Sequence, residues 1–247
     1  PAPVLIGENA EITRGTISET RETVTLAEYG RIFGISRQAL INDETAAFAD
    51  ITEKAGRRVA MFENELVFAV LLENDLGPVL SDGYELFNNA NHGNFETNGT
   101  AVNVITNLSA GRAAMRNQTG IDGMKLNIRP SILLVGPDNE TAAEQITAKI
   151  SAHRVTASNP FSGALTPLAD AHITDYAWFL FADPMDAPAL VAGSLFGQDG
   201  PRISARQGWD TSGVEFRVMR DFAVGAVDYR GAYRDDGATP VDEPIAT

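Results

Sequence analysis

An α+β fold is predicted by three features: an amphipathic stretch from Ile51 to Leu72, a strand-turn-helix unit starting at Ile132, and an alternating apolar pattern close to the C-terminal end. In the first, Ala55, Val59, Phe62, Leu66 and Ala69 recur at helical spacing while Lys54, Arg57, Arg58 and Glu65 take the opposite face. Asp50 ahead of Glu53 supplies a capping signal. The second half of this helix is apolar nearly all round, so that end is expected to be buried against a sheet or a neighbour.

The elements follow in order. Residues 1–27 are rich in Thr, Glu and Arg and, from Ile17, alternate polar with β-branched residues like an exposed ribbon, which is marginal on its own and is expected to lean on another subunit. The segment "EYGRIFGISRQALINDE", Glu28 to Glu44, reads as a strand and then as the approach to the long helix. Residues 77–107 are a Gly/Asn-rich excursion with turn signals at Asp82-Gly83, His92-Gly93 and Asn98-Gly99. A short helix is predicted over Ser109–Gln118, ended by Gly120. A strand over Ile132–Val135 runs into a helix with Pro137 in its first turn, Asp138 and Glu140 near its positive end and Lys149 near its negative end. "AWFLFAD" is a second buried strand, and Val214–Tyr233 is expected to close the fold in extended form, with Val214, Phe216 and Val218 alternating against Glu215, Arg217 and Met219. The acidic, Pro-bearing tail is expected to be mobile. No internal repeat or linker splits the chain.

Composition excludes several classes of function. Across 247 residues the longest apolar run is Leu66–Leu72, far short of the roughly 20 residues that cross a bilayer. There is no cysteine, hence no disulfide framework or thiolate site, which suits a cytoplasmic product. A formal charge of −14 repels phosphate backbones and anionic membranes. Only Lys54, Lys125 and Lys149 are lysines among the 19 basic residues. Arginine's planar fork suits fixed protein contacts, although a preference for Arg codons accounts for the same bias.

Catalytic signatures are missing. His92, His153 and His172 stand apart with no metal-ligand spacing, and Ser36 and Ser194 lie in "GISRQ" and "AGSLFG", neither a nucleophile elbow. No phosphate-cradling glycine motif occurs. Glu63 with Glu65, or Asp221 with Asp228, are the carboxylate pairs a β-rich hydrolase would need, but pairs arise by chance among 33 acids, and i, i+2 residues of a helix point apart. No catalytic residue, cofactor or metal is assigned.

What remains is the order of several distinctive strings: "ISETRETVTLAEYGRIFGISRQALINDE", "AFADI", "FENELVFAVL", "LSDGYELFNNANHGN", "LSAGRAAMRNQTG", "LNIRPSILLV" and "GVEFRVMRDFAVGAVDYRGAY". In this order, from about Glu8 to Gly237, the chain resembles the Mu-like major head subunit family of tailed phages. The resemblance implies a structural protein that self-assembles into the icosahedral head shell, in the Hong Kong 97-like capsid fold. It implies an N-terminal arm and extended β-hairpin loop over 1–44, a peripheral domain with a long spine helix over 45–130, an axial domain over 131–205, and a return to the peripheral domain with a tail over 206–247. The implied partners are identical subunits in pentamers and hexamers, with portal and decoration proteins as further ones. DNA would be enclosed without sequence-specific binding, in a virion assembled in the host bacterial cytoplasm. A tail or sheath subunit is the structural alternative.

On this reading Arg14, Glu19, Arg21 and Glu22 are the candidates for salt bridges to adjacent subunits. Tyr29, Ile32 and Phe33 supply apolar grip, and Arg31, Arg37, Asp43 and Glu44 offer charged partners. A start at Pro1 is expected to reflect maturation cleavage. Some relatives of the fold join subunits through a lysine on the extended loop, but here no lysine precedes Lys54.

Overall fold

Two β-sheets, each with its own helices, organise the chain into two units that are discontinuous in sequence. The structure, a computed structural model, describes residues 21–41, 51–148, 159–208 and 212–240. One unit comprises Thr23–Glu73 and Leu190–Gly225; the other comprises Pro1–Glu22, Asn74–Ala189 and Ala226–Thr247.

The first unit holds a four-stranded sheet. Strand β8 (Gly213–Ala226) is its spine: β1 (Ala27–Ser36) pairs along one edge, antiparallel, from Ala27 opposite Phe222 to Ser36 opposite Gly213. On the other edge β7 (Arg202–Gln207) and β6 (Leu190–Ser194) both pair with β8. A five-residue helix α1 (Arg37–Ile41) follows β1, and the Arg37 N–H donates to the Ser212 carbonyl at 2.8 Å. Helix α2 (Ile51–Leu71) matches the predicted amphipathic stretch. Its 21 residues span roughly 30 Å. Phe68 and Leu71 are buried while Ala69 is exposed, so only part of the apolar second half is covered. Asp50 lies outside the described residues.

The second unit is built on a five-stranded sheet in the order β2 (Phe95–Glu96), β9 (Ala232–Asp235), β5 (Trp178–Ala182), β3 (Pro130–Val135), β4 (Thr166–Ala169). Strand β5 reads as a continuous apolar run because both its faces are covered. Trp178 and Leu180 join Leu133, Val135 and Tyr233 in a core closed by Leu108 and Met115 of helix α3 (Ile105–Asn117) and Ala143 and Ile146 of helix α4 (Glu140–Thr147). On the opposite face Phe179 meets Phe87, their ring centroids 5.6 Å apart.

Several boundaries differ from those expected, each for a local reason. Helix α3 starts four residues before Ser109, because its N-cap, Val104, has no capping side chain to mark the start. Strand β3 begins two residues early, with Pro130 at its first position, where a missing N–H is tolerated. Pro137 opens a single 3₁₀ turn, Pro137–Asn139, that leads into α4. The stretch Val214–Tyr233 holds the long strand β8 and the start of β9. It breaks after Ala226, and β9 joins the five-stranded sheet. Lys149, His153 and the tail beyond residue 240 lie outside the described residues.

The Gly/Asn-rich excursion turns where its glycines sit: Gly83 and Gly93 both adopt positive φ, 87° and 61°. Between those turns His92 is buried, with Nε2 2.8 Å from Asp82 Oδ2, Nδ1 3.2 Å from the Leu86 carbonyl, and the ring stacked on Tyr229 at 3.8 Å. Partial burial raises the Asp82 carboxyl, but the His92 hydrogen bond and charge and the Tyr84 N–H outweigh it, leaving it below its ordinary value of 3.8. A carboxyl so lowered contributes stability above that value and loses it as the pH falls through its lowered range. Asp82→Asn is therefore expected to lower the urea midpoint at pH 7, with the gap to wild type narrowing below pH 3.8.

The packing of α3 on β9 rests on Gly111. A Cβ there would stand 2.9 Å from both Leu180 Cδ1 and the Tyr233 ring, side chains held in the core. Gly111→Ala is predicted to cost roughly 1–3 kcal/mol of stability by overpacking, read from urea unfolding. An unchanged midpoint would show that the helix can retreat freely.

Candidate subunit interface

The register of β1 against β8 sorts the candidate residues onto the two faces of the four-stranded sheet. Tyr29, Arg31, Phe33 and Ile35 share a face with their partners Arg220, Val218, Phe216 and Val214, and with Ile203 and Ala205 of β7. This face is mainly apolar, and Phe33 stacks on Phe216 with ring centroids 5.4 Å apart and planes 15° from parallel. The other face is charged and internally paired. Arg202 bridges Glu28 at 3.2 Å and Asp221 at 2.6 Å, and Arg206 holds Glu215 at 2.7 Å.

Helix α2 covers only one end of the apolar face. Tyr29 meets Phe62 edge-on at 4.9 Å, and a half-open groove of about 330 Å³ remains between Ala55, Val59 and Phe62 on the helix and Tyr29, Phe33 and Val218 on the strands. Arg31 and Arg58 stand exposed at the same groove. Arg220 anchors one end of the groove. It is buried, its Nε donates to Glu63 of α2, its Nη1 donates to the Gln198 carbonyl at 2.9 Å, and its guanidinium lies over the Phe222 ring.

The predicted contact residues fare differently. Arg14, Glu19, Asp43 and Glu44 lie outside the described residues. Arg21 is exposed, whereas the Glu22 carboxylate is engaged within its own unit and accepts the Ser81 N–H at 3.0 Å. Tyr29 and Phe33 are half-buried, Arg31, Ile32 and Arg37 are exposed, and β1 brings Tyr29, Arg31 and Phe33 to one groove. Ile32 points to the charged face, opposite Arg217.

Sequence reasoning missed the turn between β6 and β7. There Leu195 is 41% exposed and Phe196 fully exposed, in a bend closed by the Gln198 N–H to the Leu195 carbonyl at 2.9 Å. The signal was present in "SLFGQDG", an aromatic set among turn residues.

The carboxylates considered for hydrolysis are tied to arginines: Glu63 to Arg220, Asp221 to Arg202, and Asp228 to Arg230 at 3.1 Å. Among the described residues no helix is long and apolar enough to cross a membrane.

The sequence pattern of a family described as phage capsid protein matches residues 19–234. The fold is similar to that of a chain from Microbacterium phage Oxtober96, 10% identical, with a TM-score of 0.61 over 96% of this chain and 83% of the other. A chain of the cyanophage P-SCSP1u capsid is 10% identical, with a TM-score of 0.58 over 96% of this chain and 82% of its own. The SrpI encapsulin of Synechococcus elongatus PCC 7942 is 14% identical, with a TM-score of 0.53 over 90% of this chain and 75% of its own. No curated protein matches the sequence. At such identities the structural likeness is one of fold.

Removing one partner of the Arg220–Glu63 pair leaves the other charge uncompensated. Arg220→Ala is expected to cost roughly 3–5 kcal/mol in thermal or urea unfolding. Arg220→Met, which keeps the apolar stem and removes the charge, is expected to cost less when combined with Glu63→Gln than alone. Additive single and double variants would argue against the coupling.

Proposed function

Because the chain belongs to the phage capsid protein family and is a capsid shell-forming protein, we propose that identical copies gather into pentamers and hexamers and close the icosahedral head around phage DNA. The observation that carries this reading is the reach of the family pattern, residues 19–234, across both structural units. Family and fold point to a structural protein.

Our assignment of parts follows from the elements. The unit with α2 and the four-stranded sheet is the peripheral domain, α2 its spine helix; the five-stranded unit is the axial domain. We assign the residues ahead of β1 to the N-terminal arm and extended loop. Tyr29, Arg31, Phe33 and Arg37, at the join of loop and body, meet neighbouring copies, as do Arg14, Glu19 and Arg21 on the ribbon. The Mu-like branch of tailed-phage head proteins is our reading of the seven strings.

The physics of a closed shell asks little of each contact. Every copy is held by several neighbours at once, so weak repeated interactions become effectively irreversible on closure. Exposed ion pairs contribute under about 1 kcal/mol each and set register more than affinity. A charge of −14 leaves the enclosed DNA without the counterion-release attraction that would make it adhere.

The test is electron microscopy of the native, purified protein with its mass from light scattering. Closed polyhedral shells of megadalton mass are expected. Tubes would favour the tail or sheath alternative, and a small soluble particle would send the carboxylate pairs to hydrolase assays. With no lysine among residues 1–53 to form a covalent bond, denaturing electrophoresis of particles is expected to give a single monomer band. A ladder would refute that.

A further inference from the structure

We infer that Phe196 is an aromatic knob that inserts into the Tyr29–Phe33–Val59–Phe62 groove of a second copy of this chain. The inference rests on the shell reading and names the contact within it. Both halves lie on the same unit and neither satisfies the other within a copy. The Phe196 ring is fully exposed, and the groove of about 330 Å³ stands half-open. Its turn is held in place: Arg220 Nη1 donates to the Gln198 carbonyl, and the Ser194 hydroxyl reaches Asp199 at 3.4 Å. A fixed turn carrying a fully exposed phenyl ring presents its apolar surface with little conformational entropy left to lose on docking. That is the character of an interface anchor, a buried aromatic filling a pocket on the partner.

Charge selects the occupant. The groove offers Arg31 and Arg58, both exposed and, among the described residues, without a carboxylate in ion-pair reach, while the knob's turn carries the exposed Asp199. An acidic turn with an apolar tip fits a basic groove with an apolar floor. The one partner certain to present that turn at high local concentration in a shell is another copy. Knob and groove are different surfaces of one subunit, so the contact is head-to-tail, the class that closes into rings when the rotation permits. The apolar contact supplies the attraction, and the Arg–Asp pairs fix which way the ring enters.

The experiment places the photoreactive analogue p-benzoylphenylalanine at position 196, which keeps an aromatic side chain there. Isotopically heavy and light subunits are mixed, assembled and irradiated. The expected result is heavy-to-light crosslinked peptides joining position 196 to Tyr29–Phe33 or Ala55–Phe62. Shells that assemble but crosslink elsewhere, or not at all, overturn the contact and leave the shell reading standing. Unsubstituted protein that forms no shell overturns that reading and this contact together. Independently, Phe196→Ala leaves the subunit's own unfolding midpoint unchanged, since the ring is fully exposed. It should raise the concentration needed for assembly by roughly tenfold or more, with Phe196→Leu intermediate. An unaltered assembly threshold for Phe196→Ala overturns the inference.

Discussion

A strand of fourteen residues must have its main-chain hydrogen bonds answered on both edges, and the sheet of the α2-bearing unit is arranged around that requirement of β8. Strand β1 answers one edge in an unbroken ten-residue register, and β7 and β6 share the other. Once the register is set, alternation leaves no freedom about which side chains meet. Phe33 has to lie beside Phe216, Tyr29 beside Arg220, and Glu28 beside Asp221. The last pairing sets two like charges abreast, a destabilising arrangement unless a cation intervenes, and Arg202 reaches both.

The excess of arginine takes on a structural meaning in this light. Arg202, Arg206, Arg220 and Arg230 each hold a carboxylate of their own unit, and Arg220 also takes a carbonyl. Arg234 is buried between the Phe95 and Phe179 rings, each centroid 5.6 Å from its guanidinium, while one of its nitrogens bonds Asp236. A planar fork with several donors can serve two acceptors and a ring at once, which an ammonium cannot do as well. Much of the arginine that hinted at contacts between chains is spent inside one chain. The groove arginines, Arg31 and Arg58, are among those left exposed.

How much of this was legible in the sequence depended on how local the signal was. The long helix showed itself because five apolar residues kept helical spacing, and β5 because both its faces are buried and nothing interrupts the apolar run. The start of α3 was invisible because Val104 is no capping residue. Pairing partners far apart in sequence leave no local trace. Tyr29, Ile32 and Phe33 could be named as apolar grip from their residue types, but only the register with β8 turns Ile32 to the other face, and the groove needs α2 and β8 to exist. Phe196 escaped because a lone phenylalanine between turn residues carries no periodicity, and its complete exposure shows only in three dimensions.

The pairing of Ala27 with Phe222 has a consequence for synthesis. Strand β8 follows β1 only after a long stretch of chain, so at ordinary rates of about 5–20 residues per second β1 waits on the order of 10–40 s for its ladder. Through that interval neither the register of the sheet nor the floor of the groove can be complete, because both require β8. A nascent subunit is thus unable to offer a finished docking surface to its neighbours on a crowded polysome. On the proposed assembly, competence to polymerise through this face is withheld by topology until β8 has been made.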